Sequence, residues 1–279
     1  MHALHLRLPK GFVLEERLAR YADAIETSPS QLAGLWATAC KPLDGSPSSA
    51  FREVHLDLGC GKGAFLVEAA RRNPNVLFLG IDNEPVCIAY AAQAICEAEL
   101  KNAVLIPGTA EHLEDFFAPA ELDRIYINFP TPHPKRRHAK LRLTHVAQLA
   151  ALRRFLAPEA KIVFKTDSTP LWLYSRPQFE MAGYDICWIS DDVRRDHPGD
   201  PETGYEQRLT AQGAQVHGIC AVANPKHIPS ADELVLAEKA VSQSLVDYLP
   251  DDLNTMNYVP HGMEATVINL RNLKAKQQH

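Results

Sequence analysis

Apolar and polar positions along the chain change rhythm in a regular way. Five short, nearly continuous apolar runs read as strands buried on both faces: REVHLDL (52–58), VLFLGI (76–81), AVLIPG (103–108), RIYINF (124–129) and AKIVFKT (160–166). Between them lie stretches with helical spacing: AFLVEAARR, residues 85–100, AEHLEDFF and THVAQLAALRRFL. Strands that alternate with helices predict βαβ units, a parallel sheet and a doubly wound α/β fold. The rhythm then shifts. YDICWISDD (184–192) and AQVHGICAVA (214–223) are two strands with no convincing helix between them, which predicts an antiparallel pair at one sheet edge. ADELVLAEKAVSQSLVDYL (231–249) predicts one continuous helix, followed by a polar tail. At the front, an amphipathic helix from Phe12 to Ile25 leads into the connector KPLDGSPSSA (41–50). The division expected is an N-terminal helical extension and linker (1–50), a central domain (51–224) and a C-terminal helical extension with tail (225–279).

Composition narrows the picture. Of 279 residues 46% are hydrophobic, enough for one large core, and no run of about 18 apolar residues suggests a membrane span. The first residues, MHALHLRLPKGFVLEER, carry no apolar stretch suited to a secretion signal. The six cysteines (Cys40, Cys60, Cys87, Cys96, Cys187, Cys220) form no C-x-x-C pair, and the twelve histidines form no ligand pair such as H-x-x-x-H. No metal is therefore assigned, and a reduced, cytoplasmic protein is expected. The net charge of −5 argues weakly against a nucleic-acid partner. Its distribution argues the other way: Lys135 to Arg154 holds seven Lys and Arg residues and no acid.

Candidate chemistry sits at two places. LDLGCGKG lies where the first strand ends and a helix starts, with glycines at 59, 61 and 63 that permit a tight turn and close approach of a ligand. Asp82, at the end of the second strand, is placed to take two ribose hydroxyls. GCGKGA also fits the dinucleotide fingerprint of a nicotinamide enzyme. Asp57, two positions before the first glycine, favours a ligand with an ammonium group, as in S-adenosylmethionine, and would repel a pyrophosphate. The second place is NFPTPHPKRRHAKLRL (128–143). Pro130, Pro132 and Pro134 stiffen a loop at the carboxyl end of a central strand, where ligands of open α/β sheets bind. The basic run that follows would hold a phosphodiester backbone.

These motifs resemble a known family. LDLGCGKGAFL, LGID, NFPTPHPKRRH, KTD (165–167) and TGYEQR (203–208) occur in the order and spacing of the bacterial tRNA (guanine-N7)-methyltransferases, over roughly residues 53 to 221. The resemblance implies a class I, Rossmann-like methyltransferase fold: a mostly parallel seven-stranded sheet with the last strand antiparallel. It implies S-adenosylmethionine as cofactor and tRNA as partner. Asp57, Gly59, Gly61 and Asp82 match cofactor contacts, with Thr109 and Thr131 on the same side of the crevice. Lys135, Asp167, Thr203 and Glu206 match substrate contacts, and Arg137, His138, Lys140 and Arg142 fall in the RNA-contacting segment. Two places depart from the family pattern. Thr109 stands where an Asp is usual beside the adenine. In the loop that usually reads F-P-D-P-W-P-K, Thr131 and His133 replace the Asp and the Trp.

Guanine N7 carries an in-plane lone pair and no proton, so a direct methyl displacement needs no general base. The enzyme must supply alignment and tolerate a positive charge moving onto the purine. With Thr131 in the usual Asp place no residue is assigned the catalytic role; Asp167, the catalytic candidate, and Glu206 are the carboxylates expected to face the base. A methyltransferase fold that binds RNA with weakened or no catalysis, and a small-molecule methyltransferase, remain alternatives; a nicotinamide dehydrogenase is the distant one. Oligomeric state is not legible in the sequence.

Overall fold

The computed structural model describes residues 11–39 and 50–277, so Cys40 and nearly all of the expected connector lie outside the described residues. Seven strands, β1 (Glu53–Leu58), β2 (Val76–Asp82), β3 (Ala103–Pro107), β4 (Leu122–Asn128), β5 (Leu156–Thr166), β6 (Tyr184–Ser190) and β7 (His217–Ala223), form one sheet in the order β3-β2-β1-β4-β5-β7-β6. β1 to β5 pair in parallel, while β7 runs antiparallel between β5 and β6. The strand order reverses between β1 and β4, which opens a crevice at their carboxyl ends.

In chain order the helices are α1 (Leu14–Arg20), α2 (Trp36–Ala39), α3 (Ala64–Arg72), α4 (Pro85–Glu97), α5 (Leu113–Phe116), α6 (Val146–Leu152) and α7 (Thr169–Met181). They are followed by α8 (Val193–Asp196), α9 (Gly204–Ala211), α10 (Ala231–Ala240) and α11 (Glu264–Gln277). Because side chains alternate across a strand, the central strands feed two cores. Val54, Leu56, Leu58, Leu77, Leu79 and Ile81 pack with α6 and α7 on one face. Phe78 and Leu105 pack with α3 and α4 on the other. Burial on both faces explains why these strands read as continuous apolar runs. Among the described residues no helix is long and apolar enough to cross a membrane, and no group of three or more His, Cys, Asp or Glu side chains could hold a metal. The five described cysteines are free.

Three expectations are corrected. β6 and β7 do form the antiparallel edge pair, yet α8 and α9 lie between them. α9 is two turns capped by Thr203 rather than by a long apolar stripe, too short to announce itself by periodicity. The helix expected over 231–249 stops at Ala240 and resumes only as a 3₁₀ turn at Leu245–Tyr248. There Gln243 and Ser244 bond to backbone groups and compete with the helical ladder. The polar tail contains α11, whose approach buries Met263 and Val267 completely.

The C-terminal residues are thus part of the main core: Ala237, Leu245 and Met263 pack with the sheet, and Met263 Sδ lies 3.6 Å from Ser168 Oγ. Met263→Ala should cost about 2–5 kcal/mol in urea denaturation, through lost burial and an unfilled cavity. Ile268→Ala, at an exposed position of α11, should shift stability by about 0.5 kcal/mol or less.

Candidate functional site

The turn after β1 is built for backbone approach. Gly59, Gly61 and Gly63 adopt φ of +80°, +54° and +75°. A Cβ at Gly63 would stand 2.8 Å from the Ala91 Cβ on α4, so packing forbids a side chain there; at Gly61 a Cβ would meet only open space. Asp82 braces the turn: Oδ2 accepts from the Gly61 N–H at 2.8 Å and Oδ1 from the Glu84 N–H at 2.9 Å. A cavity of about 510 Å³ opens beside this turn. Asp57, Gly59, Gly61, Thr203 and Glu206 line it, as do Asn128, Phe129, Tyr205 and Arg208. Asp82, Thr109 and Thr131 are not among its lining residues. Thr109 caps the 3₁₀ turn after β3, accepting from the Glu111 N–H at 3.3 Å, and Thr131 is exposed.

Asp57 is only 1% exposed, and Asn128 Nδ2 donates to its Oδ1 at 3.2 Å. Burial, helped by the nearby Asp82 charge and opposed by the Asn128 bond, raises its carboxyl to about 7. Asn128 Oδ1 is buried and has no partner among the described residues. Two acceptors with no cation between them border a cavity, an arrangement that fits a ligand ammonium. Asn128 went unassigned in the sequence although it opens the proline motif; a polar residue at the carboxyl end of a central strand was the available signal.

The proline loop is held in a strained, defined shape. Phe129 and His133 both take positive φ, 49° and 46°, rare for such residues and concentrated at functional sites. Arg142 Nη2 donates to the His133 carbonyl at 2.7 Å and Nε to the Pro132 carbonyl at 3.1 Å. Nη2 also reaches the Gln243 carbonyl at 2.9 Å, and the guanidinium lies 4.4 Å from the Tyr174 ring centroid. Arg142 is therefore a buried clamp, 1% exposed, and the expectation that it faces RNA is corrected: its donors are directed to the backbone of the loop. Lys135, Arg136, Arg137 and Lys140 are exposed, Lys140 with Glu238 at 3.3 Å. His138 is half-buried beside Arg137.

The remaining substrate candidates are occupied by protein partners. Thr203 accepts from the Glu206 N–H at 3.1 Å as the cap of α9. Glu206 is buried and pairs with Arg194 at 2.9 Å, not with Arg208. Burial raises its carboxyl, opposed by Lys165 and Arg194. Lys165, also buried, pairs with Asp200 at 3.0 Å, and burial lowers its ammonium. Glu206 thus serves a charge network rather than standing free toward a base. Asp167 is 7% exposed and accepts from Tyr258 Oη at 2.6 Å. Ser168, not Asp167, caps α7.

The raised Asp57 carboxyl makes a pH prediction. Unfolded, it ionises near its ordinary value of 3.8; folded, at about 7. Between these values the folded chain binds the extra proton, so this group's contribution to stability falls as pH rises and levels off above pH 7. Asp57→Asn should remove that slope, measured as the difference in urea midpoints between variant and wild type from pH 5 to 8.

Comparison with known proteins agrees with this geometry. Residues 52–219 match the model of a family described as "Putative methyltransferase". A tRNA (guanine-N(7)-)-methyltransferase of Geobacillus sp. (strain WCH70) is 34% identical over 214 residues, 76% of this chain and 94% of the relative. The one from Lactococcus lactis subsp. cremoris (strain MG1363) is 33% identical over 216 residues, 76% of this chain and 95% of the relative. A solved structure described as an antibiotic-related methyltransferase shares the fold with TM-score 0.50 at 18% identity, covering 62% of this chain and 88% of its own. A seven-stranded sheet with an inserted antiparallel strand, a glycine-floored cavity and this matched span together place the chain in the tRNA (guanine-N(7)-)-methyltransferase family.

Proposed function

We propose that this protein transfers a methyl group from S-adenosylmethionine to N7 of a guanine in tRNA. The observation that carries the reading is the cavity itself. Its floor is bare glycine backbone, its wall holds the Asp57–Asn128 acceptor pair, and Phe129 connects it to a rigid loop that runs into exposed cations.

Asp57 and Asn128 would hold the cofactor's ammonium, since the Asp57 carboxylate and Asn128 Oδ1 are buried and meet no cation among the described residues. Asp82 would take the ribose hydroxyls with lone pairs left over from the two loop amides, a carboxylate having about four acceptor sites. Thr109 would flank the adenine end and Thr131 the rim, outside the cavity lining. The cofactor supplies an electrophilic methyl group on a positively charged sulfur. The protein's own part is alignment and electrostatics. The braced glycine turn and the clamped proline loop fix the two reactants relative to one another, and no group has to take a proton from N7. Asp167, at the end of β5, would be the carboxylate that offsets positive charge on the purine. Lys135, Arg137 and Lys140, with His138 beside them, would neutralise phosphates. Thr131 provides no charge, so the rate rests on positioning more than in relatives with Asp there. We further propose a cytoplasmic location, where tRNA is met, and the division into residues 1–50, 51–224 and 225–279 with the last an addition to the central domain.

With labelled cofactor and unmodified tRNA, the chain should form 7-methylguanosine; tRNA binding without label transfer would leave an RNA-binding module. Asp82→Ala should weaken S-adenosylhomocysteine binding at least tenfold by calorimetry, and unchanged affinity would remove the proposed ribose contact. tRNA affinity should fall with salt, and the double variant Lys135→Ala/Arg137→Ala should reduce the log–log slope by about 1–2. An unchanged slope would place the RNA on another surface.

A further inference from the structure

The family match ends at residue 219, yet the segment beyond it closes over the carboxyl end of the sheet. Tyr258 Oη donates to Asp167 Oδ2 at 2.6 Å, and the His261 N–H donates to the same oxygen at 3.4 Å. Gly262 abuts Pro132, where an added Cβ would approach to 3.1 Å, and the adjacent Met263 is fully buried. The Leu245 N–H donates to the Pro134 carbonyl at 3.0 Å. The segment is therefore bolted to both the proline loop and the end of β5.

Between this segment and α9 lies a second cavity of about 250 Å³, lined among others by Tyr205, Arg208, Tyr258, His261 and Glu264. It shares Tyr205 and Arg208 with the cofactor cavity. The Tyr205 ring packs edge-on against Phe129, centroids 5.4 Å apart, so the two cavities meet where the proline loop begins.

We infer that the C-terminal segment supplies one wall of the acceptor-base subsite, and that Tyr258 is a positioning residue that orients the Asp167 carboxylate toward the base. The inference rests on the methyl-transfer reading above. Among the described residues both protein donors go to Oδ2, so Oδ1 would be the acceptor for the base. A guanine offers two donors, N1–H and the 2-amino group, on the edge opposite N7. A carboxylate holding that edge presents N7 on the far side of the ring, away from Asp167. Burial and the Asp167 charge push the Tyr258 phenol far up, so it remains a donor across the working pH range. Tyr258 and Tyr205 are aromatic side chains that line the second cavity.

Tyr258→Phe keeps the ring and removes the hydrogen bond. Its kcat on tRNA should fall at least tenfold, while KM for tRNA and S-adenosylhomocysteine affinity stay as in wild type, because phosphate contacts dominate tRNA binding. A kcat equal to wild type would overturn the inference, and a higher one would make the segment a cover over the site instead. Should the wild type not methylate tRNA, the methyl-transfer reading fails, and guanosine 5′-monophosphate titrated with S-adenosylhomocysteine present decides the subsite. Binding that weakens at least tenfold in Tyr258→Phe keeps it, and no binding to the wild type removes it.

Discussion

Taking the Asp57 carboxylate out of water costs several kcal/mol unless a positive group meets it, and among the described residues Asn128 offers it a neutral amide. Its place at the end of β1 makes this cost unavoidable, because that strand is covered on both faces. The folded chain meets it by keeping the group partly protonated, with Asp82 nearby adding to the upward pull. Both acids converge on one glycine turn, Asp82 by bonding its backbone and Asp57 by lining the space beside it. The turn is thereby held in shape while the neighbouring negative potential is left unspent. A cationic ligand relieves the first group without disturbing the second.

A second buried charge organises the acceptor side. Arg142 has no carboxylate partner among its described contacts; carbonyls of Pro132, His133 and Gln243 and the face of Tyr174 receive it. Burial pulls its guanidinium down and raises the Tyr174 phenol to about 12, both consequences of a dry surrounding. The guanidinium fork suits this task, since three carbonyls from two distant segments converge on it. Strain at Phe129 and His133 persists because this clamp, with the Leu245–Pro134 bond, over-determines the loop. The proposed acceptor side joins residues that are far apart in the chain, Asp167 and Tyr258 being 91 positions apart.

Legibility in the sequence followed physical rules residue by residue. Gly59, Gly61 and Asp57 could be read because a strand-to-helix glycine turn has a local cause and a fixed spacing. Lys135, Arg137 and Lys140 were legible as exposed cations, since they follow prolines that end the strand. Arg142 looked the same in the sequence and is the opposite in space, because charge alone does not reveal which side of a 3₁₀ turn faces the core. Glu206 was read as a substrate contact; its partner Arg194 comes from a helix of four residues that no periodicity marks.

The chain's order of strands and helices was determined locally: apolar runs, glycine turns and caps act within a few residues, so sheet class, the cofactor turn and the stiff basic loop follow from the string of residues. What only the tertiary structure decided is everything that depends on distant segments meeting: the fate of Arg142, the partners of Glu206, and the return of Tyr258 and Met263 to the carboxyl end of the sheet. Such meetings are settled by burial summed over the whole molecule, and no short window of sequence contains that sum.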